Sequence, residues 1–305
     1  MIEKIRNIVP KQIKRSLFVR IQYWNVLNAY HNLKSYLHYG TTDMFHSVNI
    51  ETMTQCNRRC SYCPNSIFDR SLPKNNKLMD ESLFKKIIDD LAEMKYVGEI
   101  VPSFYGEPMM DQRLAQLMAY AHQKLPQSRL KIISNGDFLT VSKYQELVRA
   151  GVQEFLITQH SKEIGKNMCD LFQHFGIAYY ENKQVTAFKR AEEKVQFTYR
   201  KLNFYYNRGG LLNLKEISSP TSTTPGLETN PLPVCYRYSN PLVFDYKGDV
   251  PLCCQDYNTT VMFGNVKELP VKEIWNKPSF KLMREQLRNR EYKLPICKDC
   301  VGCPS

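Results

Sequence analysis

Between residues 46 and 210 the chain alternates short β-rich apolar runs with stretches of helical period, and this restricts the fold more than any other feature. His46–Thr52 reads as a strand, and Asp80–Met94 reads as a helix with Asp80 at its cap. Glu99–Tyr105 reads as a strand that ends at Gly106-Glu107-Pro108, and Gln112–Lys124 as the next helix. Leu130–Ser134 is a strand ending at Asn135-Gly136, followed by a helix over Val141–Ala150 that Gly151 closes. Glu154–Gln159 and Ile164–Phe175 form another strand and helix, and Ala178–Tyr180 and Val195–Tyr206 complete the series as strands. Parallel neighbours need a crossover, which a helix supplies, so the pattern predicts a parallel sheet with helices outside it. About five or six such units fit, which makes an α/β fold of the partial (β/α)6 TIM-like barrel kind rather than the full eightfold one.

Four regions follow: a basic helical extension over 1–45, the barrel over 46–215, a Ser/Thr/Pro/Gly-rich linker over 216–233, and a small cysteine-rich domain over 234–305. Apolar residues at Ile2, Ile5, Val9, Ile13, Leu17, Ile21, Trp24 and Leu27 step by three and four, with Pro10 interrupting the first turns. The extension therefore packs on the main domain as a helix, or rests on a membrane surface as a basic amphipathic one. It lacks the continuous apolar centre of a signal peptide, and no window of the chain has the apolar length of a membrane span. A cytoplasmic location is expected.

Ten cysteines in a reducing compartment call for a reason other than disulfides, and nine fall near residue 60 or from residue 235 onward. Such clustering favours metal ligation. Cys56, Cys60 and Cys63 follow the first strand at CxxxCxxC spacing. Three thiolates hold three irons of a cubane and leave the fourth open to a small molecule. In the C-terminal region Gly248 suits a tight turn that brings Cys235 and Cys253 together, and Cys297 and Cys300 add a CxxC pair. Four thiolates there close a cubane or a zinc site, because spacing alone does not select the metal.

With aromatic Tyr62 before the last cysteine, the first loop resembles the signature of the radical S-adenosylmethionine (SAM) superfamily. Tyr105-Gly106-Glu107-Pro108 resembles the family's GGE motif, with Tyr105 at its first glycine. Ser134-Asn135-Gly136 resembles the strand-end motif beside the SAM ribose and carboxylate, and Thr158-Gln159-His160-Ser161 falls where the family places polar residues after the fourth strand. The resemblance covers about residues 46–210 and implies SAM bound near Tyr62, Gly106, Glu107, Ser134, Asn135, Thr158 and Gln159. The C-terminal cysteines resemble the SPASM and twitch domains of the superfamily. That likeness implies one auxiliary [4Fe–4S] cluster on Cys235, Cys253, Cys297 and Cys300, giving two clusters in all, with Cys303 as an alternative ligand. Cys169 fits an apolar helix pattern and is expected in the core.

The superfamily generates a 5′-deoxyadenosyl radical, which takes a hydrogen atom from substrate. Cys254 has no ligand role in this scheme, and the Cys-Cys pair resembles that of epimerases in the superfamily. The expected reaction is therefore epimerisation of a sugar or aminoglycoside carbon, with Cys254 as catalytic hydrogen donor. Dehydrogenation of a secondary alcohol on an aminocyclitol or sugar is the first alternative; modification of a peptide or of RNA are others. His160, Arg208 and Asp256 could bind polar groups of the substrate. The net charge of +12 could attract an anionic substrate, a membrane or an acidic electron donor of the flavodoxin or ferredoxin kind. No interleaved basic–aromatic stretch is present, so nucleic acid is not an expected partner.

Overall fold

A computed structural model describes residues 17–161, 163–176, 185–190, 195–201, 204–205, 207–213, 228–229, 235 and 241–301. Its centre is a seven-stranded sheet built from β1 (Ser47–Ile50), β2 (Glu99–Val101), β3 (Arg129–Ser134), β4 (Val152–Gln159), β5 (Val185–Arg190), β6 (Val195–Lys201) and β7 (Leu242–Phe244). The spatial order is β5-β6-β4-β3-β2-β1-β7, and every pairing is parallel except β5 with β6. Helices α2 (Glu81–Glu93), α3 (Leu114–Lys124), α4 (Val141–Arg149) and α5 (Lys166–His174) supply the crossovers.

Local chemistry explains these elements. Asp80 caps α2 by accepting the Ser82 N–H at 2.7 Å, and Thr140 caps α4 by accepting that of Lys143 at 3.1 Å. Leu83, Phe84, Ile87, Ile88 and Leu91 fall on one stripe of α2 and are buried. They join Val48, Ile50, Ile100, Leu130, Ile132, Phe155, Ile157 and Phe197 from the strands in one core. Apolar burial on both faces is what a covered parallel sheet requires.

Several elements differ from the sequence expectation. Strand β2 stops at Val101 rather than Tyr105, because Glu107 turns the chain into a single 3₁₀ turn over Pro108–Met110. Strand β5 pairs antiparallel with β6, a hairpin the alternating pattern concealed; Ala178–Tyr180 lies outside the described residues. Strand β6 ends at Lys201, and Phe204–Tyr205 pairs separately with Glu228–Thr229. The C-terminal region does not stand apart, since β7 lies parallel beside β1 with Val48 opposite Leu242 and Ile50 opposite Phe244. The expected turn at Gly248 is present, with φ +89°, and leads into β8 (Asp249–Pro251), which pairs antiparallel with β9 (Met262–Asn265).

Helix α1 (Leu17–Tyr39) packs on the N-terminal ends of the strands. His31 stacks on His46 at 4.4 Å, and the Tyr39 hydroxyl accepts the Val97 N–H at 2.9 Å. Three helices end the described chain: α6 (Val271–Asn276), α7 (Pro278–Arg288) and α8 (Pro295–Val301). Arg284 on α7 is buried, lies 3.6 Å from the Trp275 ring centre, and makes a two-pronged ion pair with Asp43 at 2.6 and 3.0 Å. This pair ties the last helices to the segment entering β1. Removing one member of a buried ion pair leaves the other charge uncompensated, so Asp43→Ala is expected to cost about 3 kcal/mol of stability, measured by anaerobic urea unfolding.

Candidate active site

The cysteine loop starts where β1 ends. Gly106 explains how the neighbouring strand end comes so close: a Cβ there would stand 2.1 Å from the Met53 carbonyl oxygen. The Glu107 N–H donates to the Gln55 carbonyl at 2.8 Å, joining the Gly-Glu-Pro turn to the loop. The Glu107 carboxylate is buried and accepts from the Ser134 hydroxyl at 2.7 Å and from the N–H groups of Asn135 at 2.9 Å and Met109 at 3.1 Å. Burial raises its pKa, and those donors oppose the rise.

A second bridge was missed in the sequence. Asp137 follows Ser134-Asn135-Gly136 and accepts both prongs of Arg58 at 2.6 Å and the Asn57 amide at 2.6 Å. The Asn135 amide donates to Asn57 at 2.8 Å. Two residues inside the CxxxC spacing are thereby fixed to the end of β3. Their polar character inside that spacing was the available signal.

The three thiols of this loop interact electrostatically with one another. Burial raises all three pKa values, that of Cys56 to about 12. The loop also aims donors at sulfur: the Arg58 N–H at Cys56, the Asn65 N–H at Cys63 and Tyr62 at Cys60. Hydrogen bonds to sulfur suit thiolates bound to iron, and loading a cluster must release the protons that burial favours. This donor set fits a [4Fe–4S] group.

Beside the thiols is a cavity of about 400 Å³ lined by Arg58, Asn135, Gly136, Asp137, Gln159 and His160, and floored by Met168 and Tyr199. His160 belongs to this cavity. It stacks on Tyr62 at 5.8 Å, and its Nδ1 hydrogen-bonds the Tyr62 hydroxyl. Burial lowers its pKa to about 4, so the ring is neutral near pH 7. Thr158 is buried and accepts a long contact from Arg200 at 3.4 Å, while the Gln159 amide donates to the Ser161 carbonyl at 3.0 Å.

In the C-terminal group Cys253 is half-buried and interacts with Cys254, Cys235 and Cys300, and buried Cys297 interacts with Cys300. The Gln255 N–H donates to the Cys253 sulfur at 3.4 Å. Burial raises the Cys253 and Cys297 pKa values, the latter to about 11. This set also fits a cluster. Cys253 and Cys254 lie in a bend after β8 rather than in a strand, so strand alternation does not set their directions. Cys169 is exposed, because α5 buries Met168, Leu171 and Phe172 instead. Cys303 lies outside the described residues.

Between the two thiol groups stands Tyr105. Its hydroxyl donates to the Cys254 carbonyl at 3.0 Å, and its ring lies 4.6 Å from that of Tyr257. The Arg208 guanidinium lies 5.7 Å from the Tyr105 ring centre, near Cys63, with Nη1 3.5 Å from Gln255 Oε1. Arg208 has φ +53°, a left-handed conformation that costs a non-glycine residue about 1–3 kcal/mol. Asp256, by contrast, is consumed by its own loop: its carboxylate accepts from Thr260 N–H at 2.8 Å, Thr260 hydroxyl at 2.9 Å and Val261 N–H at 3.1 Å. It is therefore a loop-forming residue here, where the sequence suggested a contact with substrate. Arg70 closes the wall by bonding the fully buried Glu51 and donating to the Tyr257 carbonyl at 3.1 Å. Burial pushes Glu51 up to about 7 against the pull of Arg70.

Grouped thiols at the C-terminal ends of parallel strands, beside a polar cavity, define an iron–sulfur enzyme with room for a small cofactor. The chain belongs to the radical SAM superfamily: residues 50–161 match Radical SAM and residues 235–301 match SPASM, an iron-sulfur cluster-binding domain. It is 30% identical over 259 residues to the S-adenosyl-L-methionine-dependent 2-deoxy-scyllo-inosamine dehydrogenase of Niallia circulans, across 84% of this chain and 93% of that one. The crystal structure of BtrN with AdoMet and 2-DOIA matches with TM-score 0.67 at 29% identity, covering 84% of this chain and 93% of that one. An open conformation of BtrN matches with TM-score 0.58 at 25% identity, covering 86% of this chain and 93% of that one. The protein is thus a radical SAM enzyme that uses SAM and two [4Fe–4S] clusters. Among the described residues no helix is long and apolar enough to cross a membrane.

Asp137→Ala should release the cysteine loop from β3 without removing a thiol. Loss of a charged hydrogen bond of about 1.5–3 kcal/mol predicts SAM binding weaker by roughly 10- to 150-fold, with iron content unchanged, as read by equilibrium dialysis and iron assay.

Proposed function

We propose that the protein is a radical SAM dehydrogenase that oxidises a secondary alcohol of a small aminocyclitol or sugar-like substrate. The observation that carries this reading is the wall between the two thiol groups, where Arg208, Tyr105 and Gln255 converge. The activity of the dehydrogenase relative supports it, since the similarity covers 84% of this chain and 93% of that one. This reverses the order expected from sequence, in which the Cys-Cys pair favoured epimerisation.

When bound, the cofactors supply a 5′-deoxyadenosyl radical that takes the carbinol hydrogen atom and a second cluster that accepts the electron left behind. The protein's part is placement. Cys56, Cys60 and Cys63 hold the first cluster and Cys235, Cys253, Cys297 and Cys300 the second. Tyr62, Gly106, Glu107, Ser134, Asn135, Thr158 and Gln159 shape the SAM side, to which His160 also contributes through Tyr62. Arg208 presents a permanent positive charge to a substrate hydroxyl, easing release of its proton to solvent. Its strained backbone, followed by Gly209 and Gly210 at φ +65° and +87°, fixes that direction. A low-potential donor of the flavodoxin or ferredoxin kind delivers the starting electron.

One observation favours epimerisation as a second reading. Cys254 adjoins Tyr105, whose hydroxyl bonds its carbonyl, and so its half-buried thiol belongs to the same wall. The two readings differ in product. With 2-deoxy-scyllo-inosamine or related aminocyclitols, dehydrogenation yields a ketone in step with 5′-deoxyadenosine and methionine, and Cys254→Ala still makes it. Deuterium from heavy water at an inverted carbon, lost in Cys254→Ala, would replace dehydrogenation with epimerisation.

Two further outcomes test the assignment of residues. Reconstituted protein should hold about eight irons per chain, and about four after joint substitution of Cys56, Cys60 and Cys63 by Ala, with SAM cleavage abolished. Arg208→Met should lower kcat/KM by roughly 10- to 150-fold through loss of a charged hydrogen bond, while both clusters remain by electron paramagnetic resonance.

A further inference from the structure

Glu51 follows β1 directly and is fully buried, yet both cysteine regions are bonded to it. Its backbone N–H donates to the Phe244 carbonyl at 2.9 Å, and its Oε2 accepts from the Tyr246 N–H at 3.3 Å. Those contacts reach the strand that brings in the C-terminal region. The same Oε2 accepts from Arg70, in the segment that follows Cys63. Arg70 in turn donates through Nη1 to the Tyr257 carbonyl at 3.1 Å, just beyond Cys253 and Cys254. Its guanidinium lies between 5.3 and 5.8 Å from the ring centres of Tyr257, Tyr246 and Phe104. Tyr257 completes the circuit. Its hydroxyl donates to Asn65 Oδ1 at 3.0 Å, and Asn65 Nδ2 donates to the Tyr105 carbonyl at 3.0 Å. Neither member of the ion pair is fully satisfied, since Glu51 Oε1 and Arg70 Nε are buried without a hydrogen-bond partner. Desolvation offsets most of the attraction in such a pair, so net stability is not its main product. It does fix a direction, because the planar guanidinium fork holds Glu51 with one prong and Tyr257 with another.

We propose that Glu51 is a positioning residue for the reaction: through Arg70 it sets where residues 253–257 stand relative to Cys63 and Tyr105. The consequence for turnover rests on the dehydrogenase reading, because a ketone forms only if the electron left on substrate crosses to the second cluster. The position of the loop does not rest on that reading. The charge of Glu51 governs the contact. Arg70 faces it from the cysteine loop, Asp245 from the end of β7 and Tyr257 from the C-terminal loop. Burial and Asp245 oppose ionisation, Arg70 favours it, and the balance stands at about 7. Asp245 does not replace Glu51 at Arg70, because its own turn holds it: it accepts the N–H groups of Lys247 and Asp249 at 2.9 Å. Burial keeps Tyr257 a neutral phenol, with its pKa raised to about 12. Above about pH 7 the Glu51 carboxylate holds Arg70 by a charge-assisted bond. As the pH falls through that value the neutral carboxyl keeps only a weaker one, and the loop loosens.

Hydrogen exchange of the anaerobically reconstituted enzyme, read by mass spectrometry, tests the placement without turnover. Glu51→Gln keeps the size and removes the charge. At about pH 8 the amides of residues 253–261 are expected to exchange roughly 10- to 150-fold faster in this variant, the loss of a charged hydrogen bond of about 1.5–3 kcal/mol. Strands β3 and β4 should exchange as in wild type, and about eight irons should remain. Arg70→Met should give the same acceleration, and the double variant no more than either single one, because the pair acts as a unit. In wild type the ketone formed per 5′-deoxyadenosine should fall between about pH 8 and about pH 6, on either side of the Glu51 value. In Glu51→Gln it should stay at the low-pH level throughout. The wild-type arm needs no variant that folds. Loop exchange unchanged in Glu51→Gln, an acceleration spread over the whole sheet, or a wild-type ratio equal at both pH values overturns the proposal. Absence of ketone from wild type at about pH 8 overturns the dehydrogenase reading instead, and the exchange result then decides the position of the loop by itself.

Discussion

The buried Glu107 carboxylate is the interaction on which the site depends. It accepts from Ser134, Asn135 and Met109 at once, joining the end of β2 to the end of β3. A buried carboxylate with fewer donors would leave acceptor capacity unmet in a low-dielectric interior, so the two strand ends cannot separate without a large cost. Gly106 beside it lets the turn press on the Met53 carbonyl, and the Glu107 amide then holds Gln55, one residue before Cys56. The position of the first cysteine is therefore set by a chain of hydrogen bonds that begins two strands away.

The C-terminal module is attached by similar means rather than by a flexible tether. Strand β7 extends the central sheet beside β1, and Arg284 anchors α7 on Asp43. Near the active site Arg70 bonds both Glu51 at the end of β1 and the Tyr257 carbonyl. Tyr105 reaches from the Gly-Glu-Pro turn to the Cys254 carbonyl. With these contacts at both ends of β1, the two thiol groups are held against one framework. The dehydrogenation proposed above, in which substrate gives a hydrogen atom on one side and an electron on the other, would use such a fixed separation.

Much of the fold was legible because parallel units repeat a local pattern. Asp80 caps its helix, and the apolar stripe of α2 is buried as its spacing predicts. The errors occurred where pairing is nonlocal. The antiparallel β5 and the placement of β7 beside β1 depend on which backbone edges are left unpaired, and a single strand's composition does not carry that information.

Cysteine spacing, the aromatic Tyr62 and the strand-end motifs determined the chemistry, because a cluster ligand must be a thiol and covalent spacing bounds its reach. The tertiary structure alone decided the finer roles. It placed His160 on Tyr62, turned Asp256 into its own loop, and brought Arg208 to Tyr105 and Gln255. Those residues are distant in sequence, and a polar side chain has no role until folding fixes which donor or acceptor it meets. A thiol keeps its affinity for iron wherever it is placed, but an arginine or a carboxylate takes its function from its neighbours.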